Sequence, residues 1–130
     1  MPAETVELTA ADFSSTVTGT PIVLVDFWAS WCGPCRAFAP VFERSAQAHP
    51  DIVHAKVNTE SEQDLAAALQ IRSIPTIMAF RDGVLLFAQP GALPADALEE
   101  LITKITELDM DAVRAEIAAR SADTTATPTA

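Results

Sequence analysis

The chain has only two cysteines, Cys32 and Cys35, in its 130 residues, too few for the multi-disulfide framework of a small secreted scaffold. Basic residues are also scarce. Eight Lys and Arg stand against eighteen Asp and Glu, a net charge of -10, and such a chain repels nucleic acid and anionic membrane surfaces. Its apolar runs fall far short of the roughly 18 residues a membrane helix requires. The N-terminal MPAETVELTAADF has neither the basic nor the apolar segment of an export signal. The expectation is a soluble, cytoplasmic protein with no nucleic-acid or membrane partner. What the chain does have is apolar bulk: 49 % hydrophobic residues, enough to build the core of the one domain this length implies and to exclude disorder throughout.

The acidity lies mostly outside the middle of the chain. Residues 22–93 carry seven acids and five bases, whereas 96–123 carry eight acids and three bases, a pattern more typical of solvated helix faces than of docking surfaces.

Thr9 reads as the N-cap of a short first helix that stops at Gly19-Thr20-Pro21. Residues 22–28, IVLVDFW, are apolar on both alternating faces, as in a central strand covered by helices, with Asp26 as the one anomaly. A helix follows from Gly33-Pro34 to about His49, with Ala37, Val41 and Phe42 at helical spacing and Pro40 inside it, where a kink is expected. Strand 52–57 comes next, parallel to the first through a right-handed crossover. A helix is expected over 60–70, burying Leu65, Ala66 and Leu69. Runs 76–80 and 84–88 flank Arg81-Asp82-Gly83 as an antiparallel hairpin. Pro94 opens a helix with the stripe Leu98, Leu101, Ile102, Ile105 and Leu108. The fold class is therefore α/β, a mixed central sheet with helices on both faces. Residues 1–108 form the domain, 109–120 a short amphipathic helical extension carrying Met110, Val113 and Ile117, and 121–130 a disordered tail.

A Cys-x-x-Cys between the end of a strand and the start of a helix is a redox arrangement with a physical basis. Cys32 meets the positive end of the helix and its unpaired N–H groups, which lower a thiol pKa and make it the nucleophile. Cys35, one turn on, is within reach to resolve a mixed disulfide, with Gly33 and Pro34 constraining the turn between them. The chemistry is thiol–disulfide exchange, with the cysteine pair as the redox centre and no added cofactor or metal. Asp26 is the second candidate. A carboxylate in a doubly covered strand is costly to ionise, so its pKa should rise towards the working range of an acid or base; the alternative is a strand-end aspartate bonded to local backbone.

At WCGPC, residues 31–35, the chain resembles the thioredoxin family. The likeness runs from about Phe13 to Ile105 through Val25-Asp26-Phe27-Trp28-Ala29, Pro40, Lys56-Val57-Asn58, Ile71 to Thr76, Phe80-Arg81-Asp82-Gly83 and Gly91-Ala92-Leu93. The resemblance implies that Cys32 attacks substrate disulfides and that Cys35, deprotonated with help from Asp26, releases the product. It implies a cis Pro75 against the sulfurs and Ile74 pairing with substrate backbone, although only about 5–6 % of X-Pro bonds in folded proteins are cis. Lys56 would lie near Asp26, Trp28 against the disulfide, Trp31 at the rim of the substrate groove, and Gly91 where substrate backbone comes close. Taken alone, Lys56 reads as an exposed strand lysine, the tryptophans as core aromatics and Gly91 as a turn residue.

The implied activity is that of a general protein disulfide reductase, a monomer recycled by a thioredoxin reductase. The implied substrates include ribonucleotide reductase, methionine sulfoxide reductase and peroxiredoxin. Departures from the family pattern are Pro90 beside Gly91, Gln70 in place of a frequent glycine, and Arg36 in place of lysine.

Three other readings are weaker. Cys32, Cys35, His49 and His54 fit C-x2-C-x13-H-x4-H, but a helix follows the cysteines directly and Pro50 separates the histidines, unlike a zinc finger. An oxidant or isomerase of this fold generally carries a histidine between its cysteines. A pure binding module would not need both thiols.

Overall fold

The computed structural model describes residues 4–126. Ten elements follow in order: β1 (Val6–Glu7), α1 (Ala10–Gly19), β2 (Ile22–Trp28), α2 (Gly33–Ala48), β3 (Val53–Asn58), α3 (Gln63–Ala68), β4 (Thr76–Arg81), β5 (Val84–Pro90), α4 (Ala95–Glu107) and α5 (Met110–Ala126). The five strands form one mixed sheet in the order β1-β3-β2-β4-β5. β1, β3 and β2 run parallel, while β4 is antiparallel to both β2 and β5. The mixed sheet with flanking helices is the architecture expected from the sequence.

Strand alternation divides the core in two. Val23, Val25 and Phe27 of β2 join Phe13, Val17, Ala55, Val57, Met78 and Phe80 on one face, with Leu65, Leu69 and Ile71 packed against them. Leu24 joins Ile77 and Ala79 on the other, beneath Phe38 and Phe42 of α2 and Leu98, Ile102 and Ile105 of α4. Asp26 has the parity of Leu24, so the pleat directs it to the side covered by α2 and α4. There it is fully buried.

Several local expectations are corrected. The buried stripe of α2 is Cys35, Phe38, Phe42, Ser45 and Ala46, not one built on Ala37, which is exposed, because the helix takes its phase from its N-cap at Cys32. Pro40 does lie inside α2, as expected, and the helix continues on both sides of it. α3 is only six residues long. Its expected first turn is diverted into a loop in which the Glu60 N–H donates to Asn58 Oδ1 at 2.9 Å and the Ser61 hydroxyl to the Asn58 carbonyl at 3.3 Å. Its C-terminus closes at Gln70 with φ of 59°, where Ile71 N–H donates to Ala66 O and Gln70 N–H to Ala67 O. This is the left-handed helix stop that usually takes glycine. Leu108 is 38 % exposed and Ile117 43 % exposed, so neither completes its apolar stripe. α5 continues to Ala126, so residues 121–126 of the expected disordered tail are helical, and 127–130 lie outside the described residues.

Between β4 and β5, Asp82 and Gly83 take φ of 53° and 80°, the two positive values that a two-residue turn needs to match strand twist. Arg81, just before it, donates from Nη1 to the carbonyls of Ile105, Thr106 and Leu108 at 2.7, 3.1 and 2.8 Å. It thereby places a cation on the negative end of α4. Arg114 of α5 bonds Asp82 at 3.5 Å and Asp111 at 2.9 Å, and Met110 is buried. These contacts put the start of α5 at the hairpin end of the sheet.

Candidate active site

β2 delivers the chain to its C-terminal end at Trp28, and after Ala29, Ser30 and Trp31 the chain reaches Cys32, the N-cap of α2, with extended backbone at φ -87° and ψ 111°. Capping by a sulfur is possible because the first N–H groups of a helix have no partner within it. Here Cys35 N–H donates to Cys32 Sγ at 3.2 Å. The two cysteines are joined as a disulfide, each residue 3 % exposed. Gly33 and Pro34 occupy the first two positions of α2, where the N–H that proline lacks is not needed. A side chain at Gly33 would meet nothing within 4 Å, and its backbone has no positive φ, so this glycine is not required by the turn itself.

The β3 to β4 connection closes the site from the opposite side. The Ile74-Pro75 peptide is cis, and Ile74 O lies 3.7 Å from Cys32 Sγ. Ile74 and Trp28, both half-buried, pack on the cluster of Ala29, Cys32 and Cys35. Gly91 N–H donates to Pro75 O at 2.7 Å, and Gly91 has φ of 103°, a conformation that suits glycine alone. Pro90 ends β5 opposite Thr76. Trp31 is 68 % exposed, a large apolar surface next to the disulfide.

Three charged residues, of which only Asp26 is buried, occupy one row of the sheet. Glu7 pairs with Lys56, and Lys56 with Asp26, across β1, β3 and β2. Neither Asp26 carboxylate oxygen has a hydrogen-bond partner in the protein. Desolvation pushes its pKa up to about 7, with Lys56 opposing the rise and Glu7 adding to it. The Lys56 ammonium lies 4.8 Å from the Trp28 ring centroid, a cation–π contact that links the row to the wall of the site. Burial also raises the Glu7 pKa.

The structure thus gathers Cys32, Cys35, Gly33, Pro34, Trp28, Trp31, Ile74, Pro75 and Gly91 around one surface. Buried Asp26 and half-buried Lys56 stand side by side in a row that reaches it through Trp28. Sequence reasoning missed Glu7, whose part depends on the pairing of a two-residue strand. It also missed Ser30 and Glu60: Ser30 N–H and Oγ donate to Glu60 Oε1 at 3.2 and 2.8 Å. No local pattern links residues thirty positions apart.

The two histidines are engaged elsewhere. His54 is buried, with Nδ1 3.1 Å from Ile52 O and Nε2 2.9 Å from Ser45 Oγ. Because the carbonyl can only accept, Nδ1 donates and Nε2 accepts from the serine. His49 Nε2 pairs with Glu99 at 2.9 Å. Among the described residues no group of three or more His, Cys, Asp or Glu could hold a metal ion. No helix among them is long and apolar enough to cross a membrane.

Comparison with known proteins agrees with this geometry. The thioredoxin family model matches residues 4–104. A putative thioredoxin 2 of Streptomyces coelicolor is 53 % identical over 118 residues, covering 91 % of this chain and 88 % of the relative. Among solved structures, a mutant thioredoxin from Halobacterium salinarum aligns with a TM-score of 0.77 at 35 % identity, covering 83 % of this chain and 96 % of that one. A chain from a study of thiol resolution in yeast mitochondrial 1-Cys peroxiredoxin via the glutathione and thioredoxin systems aligns at 0.71 and 29 % identity, covering 77 % and 94 %. With its cysteine pair at the N-terminus of α2 and the family match spanning most of its length, this chain belongs to the thioredoxin family and is an oxidoreductase with a redox-active disulfide.

Proposed function

We propose that the chain is a general protein disulfide reductase of the cytoplasm, acting as a monomer and recycled by a thioredoxin reductase. In the reduced protein, Cys32 thiolate attacks one sulfur of a substrate disulfide. A mixed disulfide forms, and the first substrate sulfur leaves as a thiolate that takes up a proton. Cys35, its proton passed towards Asp26, then attacks Cys32 Sγ. This attack forms the Cys32–Cys35 disulfide and expels the second substrate thiol. Two electrons have moved to the substrate, and thioredoxin reductase returns two to the pair.

The observation that carries this reading is Cys32 Sγ at the N-cap of α2, accepting the Cys35 N–H at 3.2 Å. The same N–H and helix end would stabilise a thiolate there, which is what a nucleophile near neutral pH requires. Asp26, with its pKa at about 7, suits proton exchange with Cys35 at that pH. Lys56 tunes Asp26. Trp28 packs on the cysteine pair, and Pro75 follows Ile74, whose carbonyl lies beside Cys32 Sγ, while exposed Trp31, half-buried Ile74 and exposed Gly91 offer the apolar and backbone groups that a substrate segment would cover. Ribonucleotide reductase, methionine sulfoxide reductase and peroxiredoxin have disulfides of the class this surface would take. The structural neighbour linked to a 1-Cys peroxiredoxin favours the last.

Insulin reduction with NADPH and thioredoxin reductase tests the proposal. The wild type should turn over, Cys32→Ser should be inactive, and Cys35→Ser should accumulate mixed disulfides without turnover. Catalytic insulin reduction by Cys32→Ser would overturn the assigned mechanism.

A further inference from the structure

The loop between β2 and Cys32 has no regular secondary structure, yet every polar group of Ser30 is engaged. Its N–H and hydroxyl both donate to Glu60 Oε1 at 3.2 and 2.8 Å, and its carbonyl accepts from Arg36 Nη1 at 2.7 Å. Glu60 is itself fixed through its N–H to Asn58 Oδ1 at 2.9 Å. One residue earlier, Thr59 sends both its N–H and its hydroxyl to Trp28 O, at 2.9 and 3.0 Å. The loop is therefore gripped from two sides, by the turn after β3 and by the first turn of α2. Ser30, Glu60 and Arg36 are all exposed, so these bonds add little to global stability. What they restrict is the freedom of the residue that follows, Trp31, 68 % exposed beside the disulfide.

We propose that Glu60 and Arg36 are positioning residues for the exchange reaction: by clamping Ser30 they hold Trp31 in place as a rigid platform for protein disulfides. The inference rests on the disulfide-reductase reading above. A loop ordered before encounter spares a partner the cost of ordering it. The benefit belongs to substrates large enough to cover Trp31, not to a small aromatic disulfide that needs to reach only Cys32. Glu60 acts through the position of its oxygen rather than its charge, so an amide in its place keeps the clamp and a methyl group does not.

The test uses the full-length chain with Glu60→Ala and Glu60→Gln. Amide exchange at Ser30 and the ¹⁵N order parameter of Trp31 are measured in the oxidised protein. Insulin KM and kcat with thioredoxin reductase, and the rate of the reduced protein with 5,5′-dithiobis(2-nitrobenzoate), complete the set. For Glu60→Ala, the Trp31 order parameter should fall, Ser30 exchange should accelerate, and insulin KM should rise roughly threefold to tenfold, the size of one lost exposed bond network. The small-disulfide rate should stay within about twofold, and Glu60→Gln should behave as wild type. An unchanged Trp31 order parameter and KM in the alanine variant, an equal loss with both substrates, or failure of glutamine to rescue would each overturn the proposal. If the wild type itself does not reduce insulin, the reductase reading is what fails. The NMR comparison then decides the clamp alone, lowered Trp31 order supporting it and unchanged order refuting it.

Discussion

Asp26 is placed where its ionised form is the costly one. Its unfolded carboxyl titrates near 3.8 and its folded one at about 7, so between those values the native state holds more protons than the unfolded state. Stability from this group is complete below pH 4, falls as pH rises, and is lost once pH passes 7. Asp26→Asn should therefore remove a downward slope in unfolding free energy across that window. Above pH 8 the oxidised variant should be more stable than wild type by roughly 4 kcal/mol. Denaturant unfolding from pH 4 to 9 checks this, and parallel curves for the two proteins would contradict it. The row across the sheet makes a second prediction. Glu7→Gln removes a like charge and should lower the Asp26 midpoint, whereas Lys56→Met removes an opposing one and should raise it. Both are readable from the ¹³C titration of the Asp26 carboxyl, and opposite signs would refute the coupling.

Gln70 and Arg81 each close the C-terminal end of a helix, Gln70 that of α3 and Arg81, from the end of β4, that of α4. Gln70 holds a left-handed conformation at φ 59° to close α3, a position where a side chain is strained and glycine is not. Gln70→Gly should stabilise the protein by about 0.5–1 kcal/mol in denaturant unfolding, and destabilisation would show that the side chain has another partner. Arg81 gathers three carbonyls at the end of α4. Arg81→Met keeps its stem but loses these bonds, with an expected cost of about 2 kcal/mol; no change in unfolding midpoint would mean that water replaces the guanidinium freely. The sequence pattern located β2, α2, the β4–β5 hairpin and α4 because each has a strong period or a punctuating Gly or Pro. It overextended α3, because helical periodicity at Leu65, Ala66 and Leu69 says nothing of Asn58 capturing the Glu60 N–H. Gln70, the last residue of the expected helix and a side chain where the family often has glycine, is where α3 closes.

At the scale of the molecule, the chemistry and the extension occupy opposite ends. The parallel strands β2 and β3 finish at Trp28 and Asn58, next to the disulfide, while the Asp82-Gly83 turn and the start of α5 lie at the other end. Truncation after Leu108 should cost about 1.5–3 kcal/mol through loss of buried Met110 yet leave insulin turnover unchanged. Loss of turnover in a folded truncated protein would place α5 in the site's service. The cysteine pair and the anomalous Asp26 were legible from sequence because each breaks a local rule, a thiol pair at a helix start and an acid in an apolar strand. The Ser30 clamp and the Glu7 row were not, since they exist only once β3 lies beside β2 and β1 beside β3. If Cys32 and Cys35 donate electrons, the reduction potential of the pair must be that of a reductant. Equilibration in thiol–disulfide buffers, followed by tryptophan fluorescence, should give a value near about -270 mV, whereas about -180 to -120 mV would contradict the account and mark an isomerase or oxidant.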